Sequence, residues 1–254
     1  MDSKFVADIV AALAFTSALL AIFFYLPWQI RHSYRQTFIA IARAVEAREP
    51  HLLGHAEQTA RYVVLMARWR GMSFAETRRL EYAALLHGIG KVSVPYGLLN
   101  SPACLTSPSD RFVLRDYVRV GAAILDAIPI LSTSADAVRY QHEYVDGSGY
   151  PFGRYGKDIP ADAQMLCIAS EYVAMTTPRL YRAGLALTLP EADVYLRAQI
   201  GHRYSARMAA LFRLAKATER LRLLLLRVGR LVHRLATKIA SHRPRFAKLS
   251  RRVL

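Results

Sequence analysis

The chain opens on an apolar run too long for an ordinary globular element. From Ile9 to Trp28, "IVAALAFTSALLAIFFYLPW", twenty residues pass without a charge. As a helix that length crosses a hydrocarbon core of about 30 Å, so the pattern predicts a membrane span. A cleaved signal peptide would instead have a basic start, a shorter apolar stretch and small residues at the cut. Here the start is "MDSK", Asp8 follows, and the far end carries Phe23, Phe24, Tyr25 and Trp28 at headgroup level. Arg31, Arg35 and Arg43 come next, which by the positive-inside bias places the rest of the chain in the cytoplasm.

Beyond the span, polar positions return at helical spacing. "QIRHSYRQTFIAIARAVEAREP" continues the helix, with Tyr34, Phe38, Ile41 and Val45 forming a stripe. Such a stripe suits either pairing with a second copy in a homodimer or packing on the chain's own domain. Pro50 ends the segment. From His51 to about Phe212 the pattern is mostly helical. "SFAE" at Ser73 to Glu76 and "TLPE" at Thr188 to Glu191 are capping boxes, and "SPSD" at Ser107 to Asp110 pairs a cap residue with a first-turn proline. In the helix that Ser73 starts, Leu80, Ala83, Ala84 and His87 share a face, so His87 falls at a buried helix end. "YVDGSGYPFGRYGKDIP", Tyr144 to Pro160, is too rich in Gly and Pro for a helix and reads as a loop. No alternating strand pattern appears, and the expected class is all-α.

Charge changes the picture only at the far end. The net charge is +16, and from Leu211 onward there are 13 Lys or Arg against one acid, Glu219, so +12 of it lies in the last 44 residues. Leucines and arginines interleave there at helical spacing until Pro244. This suits a basic amphipathic helix on anionic lipid, a helix packed on the domain, or, least well given the lack of a recognition motif, a nucleic-acid contact. Two cysteines, Cys104 and Cys167, are too few for a disulfide framework or a zinc ribbon.

The candidate chemistry begins at "AALLHGIGKVSVP", where His87 is followed at once by glycine. "GH" at Gly54 and His55, "HGIGK" from His87 to Lys91, "QHEYVDGSGYP" from Gln141 to Pro151 and "RLYR" from Arg179 to Arg182 occur in an order that resembles the HD-GYP family. These are all-helical phosphodiesterases of the HD superfamily that open cyclic di-GMP, and the resemblance covers about residues 51–212. It implies an HD-superfamily helical domain at 51–212, after a transmembrane anchor at 1–29 and a helical linker at 30–50, and before a basic amphipathic tail at 213–254. It also implies a bacterial protein, hence single-pass in the inner membrane.

In that family, histidines and aspartates hold two or three ions, usually iron or manganese. Two-metal hydrolysis needs carboxylates to offset the dications and bridge them. At the matched positions His55, His87 and His142 remain, but Gly88 stands for the aspartate of the His-Asp pair. Tyr117 and Gln141 stand for histidines, and Ser170 and Val173 for aspartates. The resemblance thus implies a degenerate site with no cofactor expected. The alternative is a single transition metal (Fe, Mn or Zn) on the three histidines, which would make the protein a weak phosphodiesterase.

Other matched parts are kept. Lys91 corresponds to a lysine thought to touch substrate phosphate, and Asp146, Gly147, Gly149, Tyr150 and Pro151 keep the GYP loop. Arg179, Tyr181 and Arg182 keep an "RPYR" pattern except at Leu180. Lys91, Arg179 and Arg182 would serve a receptor that holds cyclic di-GMP without cutting it. The GYP loop, with Tyr150 and Tyr155 beside Arg154 and Lys157, has the make-up of an interaction patch. In the family it is implicated in contacts with diguanylate cyclase (GGDEF) domains. The expected function is a non-catalytic regulatory or scaffolding module in cyclic di-GMP signalling.

Overall fold

The computed structural model describes residues 2–49, 52–100, 107–177 and 186–241, with side chains to residue 237. Among these residues there is no strand, only the isolated bridges Asp146–Tyr155 and Ile200–Tyr204. The all-helical class expected from the sequence is observed.

The apolar run and the stripe after it form one 44-residue helix, Ser3–Glu46. It comprises α1 (Ser3–Leu20), a π-helical turn (Ala21–Tyr25) and α2 (Leu26–Glu46). The helix is long and apolar enough to cross a membrane, and among the described residues neither α1 nor the π turn has a buried residue. Burial begins at Phe38. The Phe38 ring meets Tyr82 edge-on at 5.0 Å, Arg35 pairs with Glu81 at 2.7 Å, and the Tyr82 hydroxyl donates to the Arg31 carbonyl. Of the two uses foreseen for the stripe, Phe38 and Val45 are packed against the chain's own domain, joined by Ile39 and Ala42, while Tyr34 stays exposed.

α3 (His55–Trp69) and α4 (Phe74–Leu86) form an antiparallel hairpin that is the centre of the core. Ser73 caps α4 as its pattern predicts: its hydroxyl accepts from Glu76 N, and Glu76 accepts from Ser73 N at 2.8 Å. A short 3₁₀ turn, Ile89–Ser93, and α5 (Tyr96–Asn100) lead to α6 (Pro108–Asp126), capped by Ser107. Gly90 makes this contact with α6: a Cβ there would lie 1.9 Å from the Tyr117 carbonyl oxygen and 2.5 Å from Gly121 N. α7 (Ala135–Arg139) precedes the GYP loop, α8 (Ala161–Thr176) is largely buried, and α9 (Leu189–Ala198) starts in the expected Thr188–Glu191 capping box.

α10 (Ala206–Ser241) runs unbroken through the tail boundary expected at 212–213. Phe212, Ala215, Lys216 and Glu219 are buried, so the core reaches seven residues into the segment read as tail. At the other end, Phe38 and Ile39 belong to the core although they precede the boundary expected at 51. Cys167 is a buried free thiol, and Cys104 lies outside the described residues.

Candidate functional site

The hairpin of α3 and α4 brings His55 and His87 together at its open end. His55 is the first residue of α3, placed by Gly54, whose φ of +83° sets the turn into the helix. His87 follows the last residue of α4 and is buried. Its Nδ1 lies 2.7 Å from the Ala84 carbonyl, and since a carbonyl only accepts, Nδ1 carries the proton. Nε2 of His87 lies 3.3 Å from Nε2 of His55, so one of the two nitrogens donates and the other accepts across that contact. Gln141, fully buried, fastens the corner by donating from Nε2 to the His87 carbonyl.

His142 arrives from the segment after α7 and is engaged elsewhere. Its Nε2 lies 2.7 Å from the Tyr117 hydroxyl of α6. Burial, reinforced by His87 and Lys91, pushes its pKa down to about 3, so the imidazole is neutral and the phenol is its hydrogen-bond partner.

His55, His87, Tyr117 and His142 line a cavity of about 210 Å³. Ala42, Val45, Leu52, Leu85 and Ile89 supply an apolar wall, and Gly88, Lys91, Tyr117 and Ser170 open onto it. Gly88 has an ordinary backbone conformation (φ −92°), and a Cβ built on it meets nothing within 4 Å. Ser170 turns its hydroxyl to the Cys167 carbonyl of its own helix, and Val173 is packed in the core. Among the described residues, no three His, Cys, Asp or Glu side chains are placed to hold one metal ion. The three imidazoles, two facing each other and one bonded to a phenol, share the cavity with Glu46, Glu49 and Glu171, but those carboxylates are engaged by backbone N–H groups, Lys91 and Arg203, and the set does not fit a dinuclear centre.

Lys91 does reach the cavity, but its ammonium is paired with Glu49 at 2.7 Å and lies over the Tyr117 ring at 5.8 Å. Any anion there must compete with that carboxylate. Arg179, Tyr181 and Arg182 lie outside the described residues.

The GYP loop backs His142 from the side away from the cavity lining. Gly149 is required by close approach, since a Cβ would lie 2.4–2.5 Å from Tyr144 N, Glu143 Cα and the His142 carbonyl. Tyr150 donates its N–H to that carbonyl and stacks its ring on His142 at 4.8 Å, with the Arg115 guanidinium 5.0 Å from its ring centre. The Tyr150–Pro151 peptide is cis. Asp146 accepts from both the N–H and the hydroxyl of Ser148, and Gly147 turns with a φ of +79°. Tyr150 therefore faces inward, a difference from the interaction patch foreseen for it. Arg154 is also spent, over the Tyr140 ring at 3.8 Å and bonded to the Tyr140 hydroxyl. The outward aromatics are Tyr155, 67% exposed, and Phe152, 56% exposed.

Sequence reasoning missed the roles of four carboxylates, among them Glu143, which the sequence offers as a partner for the histidines. Glu46 accepts from the N–H groups of Gly54 and Ala56 and so holds the start of α3; burial lifts its pKa above the usual range despite those two bonds. Glu49 holds Lys91. Glu143, 1% exposed, accepts from the N–H groups of Phe152 and Arg154. Glu171 accepts from Tyr144, Arg203 and Tyr204, tying α8 to the loop and to the start of α10. The available signal was an acid on the apolar side of a helix for Glu46, and an acid directly after His142 for Glu143.

The HD domain family matches residues 40–208, more than half of the chain, and the chain belongs to that family. It is 32% identical over 181 residues to the cyclic di-GMP phosphodiesterase response regulator RpfG of Xanthomonas campestris pv. campestris, covering 70% of this chain and 47% of that protein. It is 33% identical over 160 residues to the 3'3'-cGAMP-specific phosphodiesterase 3 of Vibrio cholerae, covering 61% of this chain and 35% of that protein. The chain thus spans less than half the length of these relatives. The crystal structure of V-cGAP3, a cyclic GMP-AMP specific phosphodiesterase of V. cholerae, is similar with a TM-score of 0.55 at 15% identity. That match covers 74% of this chain and 49% of the other, a likeness of fold.

Proposed function

We propose that this HD-domain chain is a membrane-anchored, catalytically inactive regulatory or scaffolding protein of cyclic di-GMP signalling, single-pass in a bacterial inner membrane with its domain in the cytoplasm. The observation that carries the reading is the engagement of the His142 nitrogen by Tyr117 at 2.7 Å, beside a Gly88 that opens onto empty space. A relative that cuts a phosphodiester with two metals needs carboxylates at such positions, and here the matched residues are Gly88, Ser170 and Val173. Retention of the GYP loop with Glu143, Gly149 and Tyr150 in place supports a role for the domain's surface. Phe152, Tyr155 and Lys157 are the side chains that surface offers to a GGDEF domain or another partner.

One observation favours a second reading, a weak phosphodiesterase with one metal. The 3.3 Å between the Nε2 atoms of His55 and His87 is the separation of two nitrogens each ~2.0–2.1 Å from one tetrahedral ion. A receptor that binds cyclic di-GMP without cutting it is less favoured, because Glu49 already occupies Lys91.

Complementation separates these readings. The full chain, its His87→Ala variant and its Phe152→Ala/Tyr155→Ala variant are each returned to a deletion strain, and cellular cyclic di-GMP is measured. The scaffold reading expects His87→Ala to act like wild type and the aromatic double variant to fail. Loss of effect with His87→Ala alone would transfer the function to the histidines.

A further inference from the structure

The last buried residue of α10 is Glu219, and the helix then continues in the open. Leu221, Leu224, Leu225, Val228, Leu231 and Leu235, each at least half exposed, recur at spacings of 3, 1, 3, 3 and 4 and share one face. Arg227, Arg230 and Arg234 fall outside that face, on a side that also carries Leu223 and Leu226, and no acid follows Glu219. From 221 to 237 this is about 25 Å of amphipathic helix with nothing beneath it among the described residues.

Its direction is fixed by its neighbours. The α3–α4 hairpin has two ends: the tight turn after Trp69, and the open end with His55 and His87. α10 runs from Phe212, against Tyr62 at 5.4 Å, to Thr218, whose hydroxyl accepts from Trp69 Nε1 at 3.0 Å, and so leaves by the turn end. α2 runs the opposite way, from Arg31 beside Tyr82 to Glu46 at the start of α3. Traced backward, the apolar Ser3–Tyr25 segment therefore leaves by that same turn end. The cavity sits at the other end, with Tyr150 stacked on His142 beside it, while the last residues of the loop return to α8, whose Asp162 pairs with Arg70 at the turn; about 27 Å of α2 separate Trp28 from Glu46.

We propose that the exposed part of α10 lies on anionic phospholipid of the bilayer that α1 crosses. One end of the domain is then held at two points, and the cavity, with Tyr150 against His142, is held off the membrane at the other end. This rests on the membrane-anchored reading above. Charge selects the occupant: a second copy would set a face whose flanking charges are all arginine against its own like charges, whereas anionic headgroups complement them. Arginine stems also cover apolar surface while their heads reach phosphate.

The test uses the full chain with Cys104→Ser, reconstituted into phosphatidylcholine vesicles with or without phosphatidylglycerol. An environment-sensitive fluorophore is placed at Leu225→Cys or at Arg230→Cys, and lipid-borne quencher is added. The expected result is severalfold stronger quenching at 225 than at 230, only with phosphatidylglycerol, and lost with Arg227→Glu/Arg234→Glu. Equal quenching at both positions, indifference to phosphatidylglycerol, or disulfide cross-linking between two copies at Leu225→Cys would overturn the docking of α10. Alkaline carbonate extraction reports the span separately. Protein that resists extraction while the label stays unquenched refutes this inference alone, and protein that is released refutes the anchored reading and this inference with it.

Discussion

The Tyr117 hydroxyl sits 2.7 Å from Nε2 of His142, where the family resemblance places a second histidine across from the first. A phenol here satisfies a half-buried imidazole that desolvation keeps neutral, and it does so without charge. Tyr117→Phe should therefore leave that nitrogen without its partner and cost about 1–3 kcal/mol, with no change in metal content. Thermal or urea denaturation of the detergent-solubilised chain measures it.

Two glycines in one loop should behave in opposite ways. Gly88→Asp enters open space from an ordinary backbone conformation, so melting should change little, within about 0.5–1 kcal/mol. Gly90→Ala drives a methyl to within 1.9 Å of the Tyr117 carbonyl and should separate the 3₁₀ turn from α6, at about 3 kcal/mol or more. A paired melting experiment decides it.

Glu143 is the internal support of the GYP loop. Glu143→Ala strands two N–H groups, at Phe152 and Arg154, at a cost of about 1–3 kcal/mol each if they stay buried. Amide hydrogen exchange should accelerate at those two residues first, while α3 and α4 keep their protection.

If the metal centre was lost by substitution, returning the ligands should return the ion. The combined variant Gly88→Asp, Tyr117→His, Gln141→His and Ser170→Asp is expected to gain metal-dependent stability. The gain should be about 2.7 kcal/mol with manganese at a hundredfold over its Kd, against no shift for the wild type, read by thermal denaturation with and without chelator.

Much of this was legible in the sequence because it rests on local chemistry. Ser73, Ser107 and Thr188 cap their helices through residues three positions on, and His87 ends an apolar helix face; each needs only a few neighbouring residues to be read. The order of short motifs carried the family, which the HD domain match at 40–208 shows. What escaped was long-range. That Tyr150 turns inward depends on His142 and Arg115, and that Arg154 is spent depends on Tyr140. Lys91 meets Glu49 from forty-two positions away. α10 stays one regular helix while its surroundings change from core to open at Glu219, and periodicity alone does not register that change.

The most direct measurement of the central claim is elemental analysis of the full chain, purified in detergent from cells supplied with iron and manganese, paired with a cyclic di-GMP turnover assay under both metals. The account predicts far less than one metal per chain and no linearised product. Near-stoichiometric metal with turnover that His87→Ala abolishes would contradict it and make His55, His87 and His142 a working site.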